Sequence, residues 1–541
     1  MKLLFKPIPL LLFSLSIWVS SVFLSLIRQD PNQGIIVRNY GIWGDWSAHL
    51  AFTEAFRERG LSWVMENSPL FQDAPFRYPF FSHAVTALIS GILGLETISG
   101  MILTSTILLL VLPFLLFRFF RSLAISSMAS LYSTLGFLFM GGFQIFDKAL
   151  DPSKALTSQF DHGSIVTQLL IYEFFPQRAF LFGICIFLWA IVQLRGSGNW
   201  KKALLPMTLL GLLPLVHLHS FFALPFFLLP FLLYPSKTSG LFSNRTSVLR
   251  LGIVIAGIGG LCILFLFREK NPNSLSWNLF LPGWAQNSTT GQTAAIGMNP
   301  LWFWIYNTGF FLPFALAGIW LHRREPTLCS ISISGWSLFL FSLMICVQPY
   351  FYDNLKLFTY AFLFLAPCFA LSLEWLQKKS GKFGIFLVLI LLSIQCSSAL
   401  LDLRSFQQGI EHATWFGRSE IRLAEEFKKI RRSPDDRVLI NPIHNHPIPC
   451  LAGNPVVMGY PGWLWSWGIQ YGELEKKVAS VLLGGADSIQ NLSALSPRYI
   501  VVNSNEKFQN QPVAISFLDS HTKKILEVDS WQVYQVEPPA R

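Results

Sequence analysis

Charged residues are scarce in this sequence, and their scarcity excludes most classes of soluble protein. Only 13% of the 541 residues are Asp, Glu, Lys or Arg, whereas about 25% is usual in a soluble domain. Apolar residues make up 52% of the chain and aromatic residues 15%. Long apolar stretches recur roughly every 20 to 40 residues, a pattern that predicts membrane-spanning helices.

Several other features are missing. No internal repeat, no low-complexity tract and no glycine-rich phosphate loop after a strand is present, and no paired interrupted helices of an inverted-repeat transporter are visible. Six of the seven cysteines lie in or beside apolar stretches. Only Cys450 falls in the polar C-terminal tail, so we expect no disulfide framework there.

The net charge of +11 does not indicate nucleic-acid binding, because the basic residues form short clusters between apolar stretches. The positive-inside rule places such clusters in the cytoplasm. We therefore expect a cytoplasmic N-terminus, an extracytoplasmic C-terminal tail and a location in a bacterial inner (plasma) membrane. The clusters are Arg118/Arg121, Arg195/Lys201/Lys202, Lys237/Arg245/Arg250, Arg323/Arg324 and Lys378/Lys379/Lys382.

The predicted fold is a polytopic α-helical membrane domain over residues 1–401, with a small soluble extracytoplasmic α/β domain over 402–541. A retained anchor at 8–27 precedes an outer loop at 28–79, and a second outer loop covers 142–177. Three apolar segments lie between these loops, at 80–95, 101–117 and 123–141. Three full spans would put the two loops on opposite sides of the membrane, so one of the three segments is predicted not to be a full span. We suspect the Ser- and Gly-rich 123–141 and expect about eleven spans in all.

The first outer loop contains a candidate acid, Asp45. Residues 46–59 are predicted to form an amphipathic surface helix, with Asp45 at or before its N-cap and His49 on the same face. Asp73 and Arg77 follow just before the next apolar segment. The alternative is that Asp45 only caps the helix.

The second outer loop contains Asp161-His162-Gly163. Carboxylate oxygens beside a histidine at a membrane boundary are suited to a divalent cation that keeps positions open for a substrate phosphate. The alternative is a solvated loop whose acids cap the flanking helix.

Three further groups of polar residues border apolar stretches. His217 and His219 interrupt one stretch, and Arg178 begins another. The segment 348–356 contains Asp353, Asn354 and Lys356, which we interpret either as a phosphate-binding patch or as a local ion pair in an aromatic belt.

In the tail, Trp463, Trp465, Trp467 and His446 are candidates for binding a sugar. Flat aromatic rings suit sugar faces, but the same three tryptophans could instead form the core of the domain or rest on lipid headgroups.

This layout resembles the GT-C superfamily of membrane glycosyltransferases. The segment Gln159-Phe-Asp161-His162 is similar to an acidic motif in the second outer loop of the oligosaccharyltransferase catalytic subunit. The segment Trp463-Leu-Trp465-Ser-Trp467-Gly-Ile-Gln-Tyr471 is similar to its Trp-Trp-Asp-Tyr-Gly motif. The tail motif lacks the Asp, and His162 replaces an Asn, so the resemblance does not extend to protein N-glycosylation.

The resemblance implies transfer of a sugar from a polyprenyl-phosphate donor to a glycan, lipid or protein acceptor at the outer membrane face. Asp45 would act as base or metal anchor, and Asp161 with His162 would supply the second acidic element beside Mg²⁺ or Mn²⁺. Arg178 and Lys356, with Asp353 and Asn354, would contact the phosphate. The possible site extends to His49, Asp73, Arg77, His217 and His219. The alternatives are a flippase of lipid-linked saccharides and a non-catalytic assembly protein.

Overall fold

A computed structural model describes residues 7–146, 167–236, 240–267, 279–288, 299–348, 350–408 and 412–537. Contacts between Cα atoms divide the chain into two units. We call residues 1–26, 105–268 and 278–411 the helical unit, and residues 27–104, 269–277 and 412–541 the mixed unit.

The described helices before residue 409 account for about half of the chain. In order they are α1 (Pro7–Ser25), α2 (Tyr40–Glu66), α3 (Phe81–Leu93), α4 (Thr97–Ser122), α5 (Ser127–Leu138), α6 (Arg178–Gly196), α7 (Trp200–Gly211), α8 (Leu213–Val216), α9 (Leu218–Leu233), α10 (Arg245–Leu266), α11 (Trp284–Ser288), α12 (Pro300–Thr308), α13 (Phe311–His322), α14 (Pro326–Met344), α15 (Leu355–Lys379) and α16 (Gly381–Gln408). The last of these continues past the predicted boundary at residue 401.

Among the described residues, seven helices are long and apolar enough to cross a membrane, or eight if one bent pair is a single span. The chain is therefore a multi-pass membrane protein, but with fewer such helices than the eleven or so that we predicted. The seven are Pro7–Ser25, Thr97–Ser122, Arg178–Gly196, Arg245–Leu266, Pro326–Met344, Tyr352–Lys379 and Phe383–Gln408.

Short and broken helices explain the difference. Of the three apolar segments between the predicted outer loops, only α4 has spanning length; α3 has 13 residues and α5 has 12. A span needs about 20 residues. The segment from α7 to α9 is interrupted at Leu212 and His217, so neither predicted helix there reaches that length.

The bent pair α12 and α13 meets at 91°, and a single amide stabilises the break. Gly309 adopts φ +59°, a conformation that side chains rarely allow. Gln395 accepts a hydrogen bond from the Phe310 amide at 2.8 Å and donates to the Thr308 carbonyl at 3.0 Å and to the Gly141 carbonyl at 2.6 Å. These bonds satisfy backbone groups that the bend exposes, as an apolar environment requires.

Helix α15 lies at the core of the helical unit. Its apolar window is wholly buried, and it packs against α5, α13, α14 and α16. Phenylalanines fill the contacts: Phe369 stacks on Phe311 with ring centroids 5.1 Å apart, and Phe358 packs edge-on against Phe339 at 5.5 Å.

Segments from both ends of the sequence build the mixed unit. Strands β1 (Ile27–Asp30) and β2 (Gly34–Val37) form a hairpin before α2, and β3 (Ala413–Phe416) adds to β2 antiparallel. The predicted first outer loop and the predicted tail domain therefore share one sheet, a pairing that we did not predict.

The tail contains a mixed sheet and several short helices, as we predicted. After β3 come α17 (Arg418–Ile430), β4 (Val438–Ile440), α18 (Pro461–Ser466), α19 (Gly472–Leu483), α20 (Ser488–Leu495), β5 (Tyr499–Asn503), β6 (Lys507–Phe508), β7 (Gln511–Pro512), α21 (Ile515–His521), β8 (Lys523–Val528) and β9 (Trp531–Gln535). The sheet order is β4-β5-β9-β8, with β4 and β5 parallel and the other neighbours antiparallel.

Ion pairs attach α2 to the tail within the mixed unit. Arg59 Nε lies 3.1 Å from Asp435 Oδ1, and its guanidinium also donates to the Pro434 carbonyl. Arg431 Nη2 lies 2.8 Å from Glu58 Oε2. Both arginine side chains are largely buried, so these pairs are better shielded from water than ordinary surface pairs.

Candidate active site

Asp45 lies inside α2 and does not cap it. The helix begins at Tyr40, and Asn39 is its N-cap, with the side-chain oxygen accepting from the Ile42 amide at 3.0 Å. Our prediction of a helix starting at residue 46 with Asp45 at its cap was wrong, because Asn39 caps the helix six residues earlier. The Asp45 side chain is partly exposed. The capping role, which was the alternative to a functional one, is therefore removed.

An aromatic platform stands beside this part of α2, formed by Trp43, His444, Tyr460, Trp463 and Trp467. The Trp43 and His444 rings stack in parallel, with centroids 4.6 Å apart and an interplanar angle of 2°. Tyr460 and Trp463 each lie 4.8 Å from His444, and Trp463 stacks on Trp467 at 6.4 Å. All five rings are partly exposed, so the platform offers flat faces to a ligand.

A chain of hydrogen bonds fixes the His444 tautomer. Trp415 Nε1 donates to Ser47 Oγ at 2.7 Å, and Ser47 Oγ donates to Asn445 Oδ1 at 2.6 Å. His444 Nδ1 lies 2.8 Å from the same Oδ1. Because a carbonyl oxygen only accepts, Nδ1 must carry the proton. In the neutral ring Nε2 is then left with its lone pair.

Burial lowers the pKa of His444 below its ordinary value, although the bond to Asn445 opposes that shift. The imidazole is therefore neutral at neutral pH. Burial lowers the pKa of His446 to about 3, and His446 Nδ1 accepts from the Ile448 amide at 3.2 Å. His446 is 1% exposed, and the histidine ring on the platform is His444; His446 as an acceptor contact stays a prediction.

His49 and Tyr78 lie beside the platform in the mixed unit. His49 Nδ1 is 3.4 Å from His83 Nε2, and the Tyr78 ring packs against both His49 and Trp467, at 6.2 and 5.5 Å. His49 is buried. It lies four residues, or about one turn, after Asp45 on α2, and its ring is in the interior of the unit.

Asp73 and Arg77, the other candidates from the first predicted loop, have different surroundings. Asp73 is exposed. Burial lowers the pKa of the Arg437 guanidinium to about 10, and the charge of Asp73 opposes that shift. Asp73 therefore has an electrostatic partner in the tail. Arg77, the residue before Tyr78 in sequence, is partly buried.

The helical unit contains a second polar cluster, where α8 ends and α9 begins. His217 Nδ1 lies 2.8 Å from Ser220 Oγ, and the Tyr360 hydroxyl donates to Ser220 Oγ at 2.7 Å. The His217 and His219 rings are 5.2 Å apart. Lys356 is close enough for its charge to act on both histidines.

Lys356 pairs with Asp353, as the local-ion-pair interpretation predicts. Nζ lies 2.5 Å from Oδ1; the lysine side chain is 4% exposed and the aspartate 25%. Asn354 has a structural role, because its Oδ1 accepts from the amides of Val347 and Gln348 at 2.6 and 3.2 Å. The cluster thus contains a buried cation whose counter-ion is partly open to solvent.

Arg178 is fully buried at the start of α6. Its Nε donates to Ser105 Oγ at 3.2 Å. A buried guanidinium is costly unless its donors are satisfied. The bond to Ser105 therefore links the start of α6 to α4, with or without a bound phosphate.

Asp161 and His162 lie outside the described residues, and the predicted convergence of Asp45 with Asp161 stays a prediction. Within the described ranges, no three His, Cys, Asp or Glu side chains are grouped as metal ligands.

Comparisons with known proteins place the fold. No family model matches the chain, and no curated protein matches it in sequence. Solved structures do match: ArnT from Cupriavidus metallidurans in the apo state has a TM-score of 0.56 at 12% identity, over 98% of this chain and 98% of that one. The archaeal oligosaccharyltransferase AglB from Archaeoglobus fulgidus has a TM-score of 0.52 at 12% identity, over 92% of this chain and 70% of that one.

A third match is the arabinofuranosyltransferase AftD from Mycobacteria, with a TM-score of 0.60 at 12% identity, over 98% of this chain and 42% of that one. These glycosyltransferases share one architecture with the chain, which has a GT-C-like fold. The predicted fold resemblance is confirmed.

Sequence reasoning missed Trp43, His444 and Tyr460. Trp43 stands two residues before Asp45, and His444 is one of two histidines in the tail segment 444–446. The aromatic and histidine composition of both segments was visible, but only the fold brings residues some 400 positions apart into one stack.

Proposed function

We propose that this chain is a membrane glycosyltransferase that moves a sugar from a polyprenyl-phosphate-linked donor to an acceptor at the outer face of a membrane. The observation that carries the proposal is the aromatic platform, one ring of which, Trp43, lies in the same helix α2 as Asp45. Stacked and partly exposed rings suit the face of a sugar, and a partly exposed carboxylate on the same helix as Trp43 can accept the proton of a saccharide hydroxyl. The GT-C-like fold supports the reaction class by analogy.

The donor class is supported by ligands of the similar structures. One structure of ArnT is bound to undecaprenyl phosphate, with a TM-score of 0.55 to this chain, and the AglB structure is in complex with an inhibitory peptide and a dolichol-phosphate. Both lipids are polyprenyl phosphates, the product that such a donor leaves.

In the proposed reaction Asp45 accepts the proton of the acceptor hydroxyl, whose oxygen attacks the anomeric carbon of the donor sugar. The bond between that carbon and the phosphate oxygen breaks, and the polyprenyl phosphate leaves with the bonding electrons. The configuration at the anomeric carbon is inverted. Lys356 is the candidate cation for the phosphate, as a compact point charge with three donors.

The acceptor is proposed to lie on the platform, with Trp463, Trp465 and Trp467 as its tail contacts. His444 positions it: Nε2 carries the lone pair that accepts a hydrogen bond from a sugar hydroxyl, while Trp43 holds the ring in place. His446 stays a candidate from the sequence. Its ring is buried, and its Nδ1 accepts from the Ile448 amide, so it also stabilises the backbone after His444.

A divalent cation, Mg²⁺ or Mn²⁺, is part of the proposal through Asp45, Asp161 and His162. Asp45 offers the hard oxygen that such ions prefer. When bound, the ion would stabilise the negative charge on the leaving phosphate.

The test is turnover by the full chain in proteoliposomes. Undecaprenyl-phosphate-linked pentose and hexose serve as donors with neutral oligosaccharide acceptors, and released undecaprenyl phosphate is measured. We expect Asp45→Asn to lower kcat about 10²–10⁴-fold, the usual contribution of a general base. The matched control is Asp529→Asn, because Asp529 is an exposed residue at φ +53° that Asn tolerates.

A second arm tests the acceptor. His444→Gln removes the ring stacked on Trp43 and is expected to raise the acceptor KM about tenfold, the scale of one lost hydrogen bond and stack, with kcat within about twofold. Full activity of a correctly inserted Asp45→Asn protein would remove Asp45 from the mechanism. Absence of turnover by the unaltered chain with every donor and acceptor would contradict the enzyme proposal itself.

A further inference from the structure

A groove in the mixed unit runs between α2 and α3. It has a volume of about 450 Å³, within the range of ligand sites, ~300–1,000 Å³. Phe56, Arg57 and Leu61 line it from α2, and Ala84, Ala87, Leu88, Gly91 and Ile92 line it from α3. We call it the α2–α3 groove.

Helix α3 buries its hydroxyl-bearing face and exposes its apolar face, which is the reverse of a helix at the surface of a soluble protein. Ser82, Thr86 and Ser90 are fully buried, and Thr86 Oγ1 lies 3.4 Å from Thr104 Oγ1. Ser90 packs closely on Gly100, where an added Cβ would meet its hydroxyl. The hydroxyl face is therefore the internal one.

The opposite face of α3 is apolar and open. Leu88 and Ile92 are 63% and 73% exposed, and Ala84, Ala87 and Gly91 leave a shallow floor between them. These residues follow the i, i+3, i+4, i+7 spacing of a single helix face. At 13 residues α3 is about 20 Å long, too short to cross the apolar core of a bilayer, about 30 Å. Such a face is suited to an alkyl chain.

The groove also contains a cation. The Arg57 side chain is exposed, and its Nη1 donates to Thr97 Oγ1 at 3.1 Å. A guanidinium has five N–H donors in a fork that matches phosphate oxygens, and Thr97 takes one of them. An apolar floor with a guanidinium at its side is complementary to a chain that carries a phosphate.

We propose that the α2–α3 groove binds one anionic glycerophospholipid, with an acyl chain over Ala84, Ala87 and Gly91 and the phosphate at Arg57. The occupant is a membrane phospholipid rather than the polyprenyl donor. The proposal does not depend on the proposed function.

The test uses the full chain in nanodiscs that contain a phosphatidylglycerol with a photoreactive acyl chain, and a matched phosphatidylcholine probe. Labelled peptides are quantified by mass spectrometry. Gly91→Leu fills the groove without a clash, since nothing lies within 4 Å of a Cβ there. Gly257→Leu is the matched control, because Gly257 is an exposed glycine of α10 with equally open space.

We expect Gly91→Leu to lower labelling of α2 and α3 about tenfold, the effect of filling a site with one side chain, and to leave labelling of α10 unchanged. Gly257→Leu leaves the groove labelled. Arg57→Gln lowers labelling by the phosphatidylglycerol probe about tenfold, the scale of one charge-assisted hydrogen bond, to the level of the phosphatidylcholine probe.

Labelling of the groove that survives Gly91→Leu would overturn the site. Equal labelling by both probes, unaltered by Arg57→Gln, would overturn the anionic phospholipid. Displacement of the probe by undecaprenyl phosphate but not by excess phosphatidylglycerol would assign the groove to the carrier lipid instead. If Gly91→Leu does not fold, Arg57→Gln at an exposed position still gives the charge comparison.

Discussion

The two units differ in how they stabilise buried cations. In the helical unit, Lys356 pairs with an acid three residues away. Arg195 has no carboxylate partner among its described contacts: it donates to the Ser122 carbonyl at 3.0 Å and lies over the Phe231 ring at 5.2 Å.

In the mixed unit, Arg59 and Arg431 pair with acids about 375 residues away in sequence. An ion pair between neighbours in sequence stabilises a buried charge within its own segment. An ion pair between residues far apart in sequence also holds two segments of the chain together. We therefore expect substitutions in the first kind of pair to alter function more than folding, and in the second kind to alter folding more than function.

Among substitutions of the buried cations in these pairs, the largest effect is expected at Lys356. From the proposed role of Lys356 as the phosphate contact, Lys356→Met is expected to lower kcat/KM for sugar transfer about a hundredfold, because the phosphate would lose a cation that is shielded from water. The double variant Lys356→Met with Asp353→Asn removes both charges, which is often close to neutral for stability. Recovery of the melting temperature without recovery of transfer supports phosphate binding, and recovery of both would leave only a structural pair.

The next effect is expected at Arg431, in the measured stability of the mixed unit. Arg431→Met leaves Glu58 without its partner and the carbonyl of Ala452 without a donor. We expect a loss of about 3 kcal/mol in unfolding free energy, the scale for breaking a largely buried pair, measured by thermal melting and by proteolysis of the tail.

The control for that loss is Lys429→Met, which breaks the exposed pair with Glu426 and should change stability by less than about 1 kcal/mol. In a double-mutant cycle with Glu58→Gln, the two losses should not add. Equal losses at Arg431 and Lys429 would remove the contrast between buried and exposed pairs.

The smallest effect concerns pH. Burial raises the pKa of Glu506 from its ordinary value of 4.5 to about 7, while the Asn441 amide, 3.0 Å from Oε2, opposes the shift. A raised carboxyl pKa means that the folded state binds the Glu506 proton more tightly than the unfolded state does. The contribution of this group to the free energy of unfolding is therefore fully present below pH 4.5 and is lost as pH rises through 7.

We therefore expect the melting temperature of the tail to fall between pH 5 and pH 8, and Glu506→Gln to remove that part of the dependence while it keeps an oxygen for Asn441. Glu473→Gln, at a fully exposed acid, should not alter the slope. An unchanged slope in Glu506→Gln would assign the pH dependence to other groups.

The fold class, the multi-pass character and the mixed tail sheet could be predicted from composition and apolar periodicity. The number of helices of spanning length could not, because α3, α5, α7 and α9 have only 13, 12, 12 and 16 residues. In addition, Gln395 satisfies the backbone of a bend that lies far from it in sequence, and an apolar stretch does not reveal such a partner. For the site, Asp45 was visible as an acid near a surface helix, yet the true cap, Asn39, was not identified. The His444 stack on Trp43 depends on tertiary pairing, which leaves no periodic signal in either segment.

The sheet that joins β2 to β3 has a consequence for biosynthesis. Thr414 pairs with Ile36, roughly 380 residues after it, which a ribosome working at about 5–20 residues per second adds in some 20 to 75 seconds. During that time the hairpin has an open edge of unpaired backbone groups, which can template wrong pairing. Maturation of this sheet must therefore wait until every intervening helix has been made, and a chain that stalls before residue 413 cannot complete it.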